Sequence, residues 1–337
     1  MRNRSTRRTL SLLLAGLLVL AGCSGDDGGG SGDGTSGNKL TIAVLAAPSL
    51  TSFYAPLNEA GDFDGKHGLE ITFAPKSPQA LRTEFASGAT KLSAGASVLT
   101  DVALLNQQGA ENVYLFNTFD WWGTVVTPAS SDIQTVKDLG GKKVLGALST
   151  TNYAMFKMTA GANGVDLDSL QEQNADPAGL VAAARSGREE AIQIWEPAHS
   201  SLTAGNSDWR SLDLVGDWKK ATGTETVPYI GLAVSKEWAD QNQNLIQPLY
   251  DTFADMAKYV KDNPAEAAKR ISAATKIPEP VLTDLLGSDR LAFTVYPATQ
   301  ERESLQVILD KATEFGVLKS KPDLNSLLYS GQITTAS

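Results

Sequence analysis

From Leu40 onward, short apolar runs alternate with segments whose apolar residues recur at helical spacing, a pattern that predicts strands followed by helices. Residues 40–46 and 69–73 read as buried strands. Ser77-Pro78 opens a helix that Gly88 closes, because serine caps free N–H groups, proline suits the first helical position and glycine accepts the backbone beyond the last turn. Residues 91–97 give a third strand, 99–108 a helix ended by Gly109, and 113–117 a fourth strand. Residues 120–126 then read as a strand that leaves this series. A turn with a short helix follows over 131–139, then a strand over 143–147, helices over 151–162 and 177–186, and a strand over 190–195. A strand over 227–235 carries the chain back. Beyond it the texture is helical: Leu245, Leu249, Phe253, Met256 and Val260 make one apolar face over 244–261. Asn263-Pro264 and Pro278 each start a further helix, and 297–316 another. The alternation implies an α/β fold, and the roughly 300 residues from Lys39 exceed what one core holds, so two lobes are expected.

The N-terminus has a different character. Arg2, Arg4, Arg7 and Arg8 precede the apolar run Leu10 to Leu20, which falls short of the about 20 residues a spanning helix needs. The run ends in Leu20-Ala21-Gly22-Cys23, which looks like a bacterial lipobox. Residues 1–22 are therefore expected to be a signal peptide, and Cys23, the only cysteine, the site of diacylglycerol attachment and membrane anchoring. An uncleaved signal or an incidental cysteine is the alternative. With one cysteine no internal disulfide forms. Residues 23–38 read as a flexible tether, since the Gly/Ser/Asp tract from Ser24 has no apolar residue with which to build a core. Its Gly32-x-Gly34-x-x-Gly37 pattern precedes a strand and opens no helix, so it is not a dinucleotide fingerprint. The chain carries 29 basic and 38 acidic residues, and loss of the four signal arginines would leave a formal −13. That balance argues against nucleic acid as a partner but leaves room for a local anion site.

The segment Ser131-Asp132-Ile133-Gln134-Thr135-Val136-Lys137-Asp138-Leu139-Gly140-Gly141-Lys142-Lys143-Val144 resembles the S-x-I-x-x-x-x-D-L-x-G-K-x-V turn of type II periplasmic binding proteins. It is similar above all to the group that binds aliphatic sulfonates, taurine, nitrate and thiamine precursors. Gly68-Leu69-Glu70-Ile71, Ser149-Thr150-Thr151-Asn152-Tyr153 and Ala191-Ile192-Gln193-Ile194-Trp195-Glu196-Pro197 match further segments of that group in order. The chain differs at Leu148, where the group usually has glycine, and at Asn152, where histidine is common. The likeness runs over about residues 39 to 320. It implies a two-lobed type II periplasmic-binding-protein fold with a hinge of two crossover strands. Lobe 1 would be residues 39–119 plus 236–337 and lobe 2 residues 120–235. It also implies a monomeric, extracytoplasmic binder that delivers a small molecule to an ABC permease and its ATPase, with a sulfonate, taurine or nitrate as the default ligand. An aromatic or pyrimidine-like ligand, a thiamine-precursor-synthase-like enzyme and a ligand-sensing lipoprotein are the alternatives.

Ligands of open α/β sheets sit beyond the carboxyl ends of strands, which selects the candidate site residues. The first lobe offers Ser49, Ser52, Phe53, Ser77, Ser97 and Thr100, and the crossover offers Trp121. The second offers Ser149, Thr150, Thr151, Asn152, Trp195 and Glu196, and the return strand Tyr229. Hydroxyls and N–H groups at a helix start suit a carboxylate, sulfonate or nitrate. The residues alone equally fit an ordinary cap, and the resemblance turns the reading to binding. The aromatics either stack on a ligand or pack in a core, and Trp121 and Trp122, adjacent on one strand, would face opposite ways. Glu196 either meets a ligand or caps the helix after Pro197. Arg82 sits a turn inside its helix and no other arginine lies near the cleft, which points away from an arginine fork and towards a neutral, zwitterionic or heteroaromatic ligand. His67 is expected in a solvated turn and His199, just past the Trp-Glu-Pro segment, on a helix surface, with a place near the cleft as the alternative. With no nucleophile elbow, no metal-ligand spacing and no phosphate loop, neither catalysis nor a cofactor or metal is expected.

Overall fold

The computed structural model describes residues 37–205 and 208–335. The expected signal, Cys23 and the tether up to Ser36 lie outside the described residues. The strands, in chain order, are β1 (Lys39–Leu45), β2 (Glu70–Lys76), β3 (Leu92–Ala96), β4 (Asn112–Asp120), β5 (Gly123–Pro128), β6 (Lys143–Gly146), β7 (Gln171–Asn174), β8 (Ile192–Trp195), β9 (Trp209–Ser211), β10 (Pro228–Ser235) and β11 (Phe293–Pro297). They form two sheets, ordered β11-β4-β10-β3-β1-β2 and β7-β6-β8-β5-β9. β1 pairs in parallel with β2 and β3, whereas β10 runs antiparallel to both β3 and β4. In the second sheet β6 is parallel to β7 and β8, and β5 is antiparallel to β8 and β9. This is a mixed α/β architecture of two lobes.

The chain passes between the sheets twice, at Trp121-Trp122 and again on entering β10. The Trp121 N–H donates to the Val227 carbonyl at 2.7 Å, which ties the two passages side by side. The strand expected over 120–126 is therefore broken. Its first part continues β4, and β5 restarts at Gly123, where a Cβ would lie 2.9 Å from the Trp121 indole. The helix expected over 99–108 also differs. The Ser97 carbonyl accepts from both Asp101 N and Val102 N at 3.2 Å, which widens the turn Val98–Ala103 into a π-helix before the short α-turn Leu104–Asn106. The helix Pro78–Ser87 has the expected cap, with the Ser77 hydroxyl accepting from Ala80 N and Gly88 left-handed at its end.

The first lobe is built on an aromatic core. Tyr54 meets Phe253 edge-on at 4.9 Å and its buried hydroxyl is satisfied by Thr118 at 2.7 Å. Val126, Leu145, Leu180, Ile192 and Ile194 fill one side of the second sheet. A third cluster runs from Val98 and Leu99 through Trp121 and Phe156 to Leu305 and Ile308. The helix Arg302–Glu314 accordingly packs on the helix Thr151–Ala162 as well as on the first lobe.

Candidate functional site

The carboxyl ends of β3 and β6 face each other across the seam between the lobes, and the local sequence fixes what they present. After β3 the Ser97 hydroxyl accepts from Thr100 N at 3.1 Å, which brings the two hydroxyls within 2.9 Å. After β6 the Thr150 hydroxyl accepts from Tyr153 N at 3.2 Å and donates to the Ala147 carbonyl at 2.7 Å, capping the helix Thr151–Ala162. Across the seam the Thr100 and Thr151 hydroxyls lie 2.6 Å apart.

Arg82 completes this cluster, contrary to the expectation that no arginine fork reaches the cleft. Its Nε donates to Asp101 Oδ1 at 3.1 Å, one Nη to the Ser149 carbonyl at 3.0 Å and the other to Thr100 Oγ1 at 3.3 Å and Thr151 Oγ1 at 3.5 Å. Helical side chains lean back towards the N-terminus of their helix. A long side chain one turn inside the helix therefore covers its opening turn and extends past it. Asp101 is buried, and its second oxygen accepts from Ser97 N and Thr100 Oγ1, each at 3.0 Å, so the carboxylate orients the whole first-lobe half of the site. Tyr229 belongs to the same electrostatic neighbourhood: burial pushes its phenol up, the Asp101 charge adds to this and Arg82 opposes it.

The other candidates are placed differently. Ser49 and Ser52 serve the turn after β1, where Ser52 Oγ donates to the Ser49 carbonyl at 2.6 Å, and Phe53 lies in the first-lobe core. Ser77 is exposed at its helix cap. Asn152 Oδ1 accepts from Trp121 Nε1 at 3.0 Å, and that indole is buried, while Trp122 is half-buried with its ring 4.8 Å from His199. Trp195 is half-buried against the apolar side of the second sheet.

Glu196 is fully enclosed. It accepts from Ser200 N at 3.0 Å and Ser200 Oγ at 2.9 Å, and forms an interlobe ion pair with Arg290 Nε at 3.0 Å. His199 is buried rather than on the surface. Its Nδ1 lies 3.2 Å from Glu196 and its Nε2 2.8 Å from Ser211 Oγ, so the Glu196 carboxylate draws the ring inward. His67 is half-buried and pairs with Asp255 at 3.1 Å instead of standing free in solvent. Two arginines, Arg82 and Arg290, thus clasp the lobes at separate points along the seam. Sequence reading missed both clasps. For Arg82 the available signal was the reach of a side chain in the first turns of a helix beside Ser77.

Chemically, a guanidinium, three hydroxyls and the N-terminus of a twelve-residue helix converge on one place. These are donors suited to a small oxyanion. Two sheets, two adjacent chain passages and a donor-lined seam define the fold class: two-lobed, of the periplasmic-binding-protein type. The chain belongs to the NMT1/THI5-like family, whose model matches residues 58–267, more than half of its length. It is 23% identical over 187 residues to a putative aliphatic sulfonates-binding protein of Escherichia coli K12, and that match spans about half of either protein, 54% of each. Among solved structures it is similar to the periplasmic aliphatic sulphonate binding protein SsuA of Escherichia coli, with a TM-score of 0.72 and 19% identity over 90% of this chain and 95% of that one. It is also similar to the alkanesulfonate-binding protein SsuA of Xanthomonas axonopodis pv. citri bound to MOPS, with a TM-score of 0.69 and 19% identity over 87% and 97% of the two chains.

Proposed function

We propose that the chain is the extracytoplasmic solute-binding component of an ABC importer and captures a small organic anion of the sulfonate class between its lobes. The observation that carries this reading is the convergence of Arg82 with Ser97, Thr100 and Thr151 at the start of the helix Thr151–Ala162. A sulfonate group has three oxygens. The guanidinium fork can take two, and the hydroxyls and helix N–H groups the third. The sulfonate-binding relatives support the same ligand class. Opening the hinge would free Arg82 from Ser149 and Thr151. An anion bridging the same groups would restore a contact to each lobe, and so favour the closed form that a permease reads.

The division of the lobes at Asp120 and Ser235, the permease and ATPase as partners, and anchoring through a diacylglycerol on Cys23 belong to this reading. So does capture without catalysis. The test is the melting temperature of residues 38–337 against alkanesulfonates, taurine, nitrate, thiamine precursors, nucleobases and aromatic acids. A ligand at 100 times its dissociation constant adds about 2.7 kcal/mol to the native state. A clear upward shift with the sulfonates is expected. A shift confined to nucleobases or thiamine precursors overturns the ligand class, and no shift with any compound overturns the binding role.

A further inference from the structure

An interlobe cavity of about 580 Å³, separate from the Arg82 seam, lies on the hinge side of the molecule, and of the candidate site residues only Trp121 lines it. Its size falls within the range of small-molecule sites, about 300–1,000 Å³. Its inner wall is apolar and aromatic, from Trp121, Trp122, Val227, Leu291 and Phe293. Trp122 and Phe293 are both half-buried, so each leaves part of a ring facing the space. The ionisable groups divide by depth. Asp213, Lys219, Lys261 and Asp289 are exposed at the mouth, two of each sign, and balance one another. Asp120 is the lining ionisable group that is not exposed.

Asp120 carries no cationic partner among the described residues. Asn117 Nδ2 donates to its Oδ1 at 3.0 Å and the Tyr296 hydroxyl donates to the same oxygen, both uncharged donors. Lys219 acts on it only through its charge. A carboxylate without a counter-ion, in a partly desolvated space lined by two half-buried aromatic rings, is the chemistry that recognises an organic cation.

We propose that this hinge-side cavity is a second binding site for a primary arylalkylammonium ion, with the ammonium on Asp120 and the ring against Trp122 and Phe293. The ion touches residues of both lobes, including Val215 of the second and Val260 of the first, so its occupancy is linked to the hinge angle. The charge on Asp120 sets a pH dependence. Its carboxyl faces Tyr296 and Thr294 on β11, Asn117 on β4, Glu301 in the following turn and Lys219 across the cavity, with Asp213, Asp289 and Lys261 at the mouth. Burial raises the carboxyl to about 6, so the anion that holds the ammonium is present at pH 7.5 and largely protonated at pH 5.

The test is calorimetric titration of the purified full chain with phenethylamine, against uncharged 2-phenylethanol and anionic 3-phenylpropionate. Saturable binding of phenethylamine at pH 7.5 is expected, at least tenfold tighter than either control and at least tenfold weaker at pH 5. Asp120→Asn keeps the shape and the Tyr296 bond and should lose tenfold or more. Trp122→Leu should weaken binding with the charge intact. The proposal is overturned if phenethylamine does not saturate, if 2-phenylethanol binds as well, or if folded Asp120→Asn binds it unchanged. Because no alkanesulfonate is used, none of these results bears on the cleft.

Discussion

At the scale of single residues the two lobes are held by charge placed where solvent is scarce. Arg82 and Asp101 form a pair in which the carboxylate is almost wholly enclosed and the guanidinium projects to the seam. The arrangement leaves the fork able to exchange a backbone carbonyl for a ligand oxygen without losing its own counter-ion. Asp120 is the opposite case, a carboxyl with neutral partners that burial raises from the ordinary 3.8 to about 6. Between those two values the folded state holds a proton that the unfolded state has released. Stability therefore falls as pH rises from about 4 to 6, and the ionised Asp120 is a burden at neutral pH. Replacing it with asparagine should raise resistance to urea at pH 7.5 and flatten the slope of stability against pH in that window. Unchanged slopes in Asp120→Asn would contradict the raised value. The residue level is also where sequence reading is weakest. Ser97, Thr100 and Ser149 to Asn152 are legible because each follows a strand and opens a turn or helix. Arg82 and Arg290 are not, because what matters is how far a long side chain reaches across a gap that only the fold creates.

At the scale of elements, legibility follows the strength of the pattern. The helix Pro78–Ser87 carries its cap and its stop in the sequence, and so does Pro177–Ser186. β7, Gln171–Asn174, has no apolar residue and is an edge strand whose one strand neighbour is β6, so periodicity cannot find it. β9 is likewise an edge strand of three residues. The helix Leu214–Thr222 had a signal that went unused, an Asp213 cap and a left-handed Gly223. Close approach of backbones explains a further choice. A Cβ on Gly231 would stand 2.0 Å from the Phe116 carbonyl oxygen and 2.5 Å from the Tyr114 hydroxyl. β10 is bonded on both sides, to β3 and β4, and cannot step away. Gly231→Ala should therefore cost about 1–3 kcal/mol through overpacking, read as a drop in the urea midpoint. A change within about 0.5 kcal/mol, as at an unconstrained surface position, would contradict this account of the strand pair.

At the scale of the whole molecule, the two-lobed plan was readable from the break near Asp120 and the return at 227–235, together with the resemblance carried by residues 131–144. What the pattern did not contain is the state of the hinge. Arg82 bridging to Ser149, Thr100 meeting Thr151 and Arg290 meeting Glu196 describe lobes already in contact. The helix Arg302–Glu314, laid against both lobes, joins them through the core cluster that contains Trp121 and Phe156. A ligand in such a molecule acts by replacing contacts between lobes with contacts to itself, and its affinity depends on the groups freed when the seam opens. The most direct measurement is calorimetric titration of residues 38–337 with a series from methanesulfonate to octanesulfonate, in parallel with Arg82→Lys and Arg82→Ala. Stoichiometric binding is predicted for the parent chain. With a charge-assisted bond worth about 1.5–3 kcal/mol, at least tenfold weaker binding is predicted for Arg82→Ala, with Arg82→Lys between the two. If no sulfonate binds, or if folded Arg82→Ala binds sulfonates as the parent does, the seam between β3 and β6 is not where this protein holds its ligand.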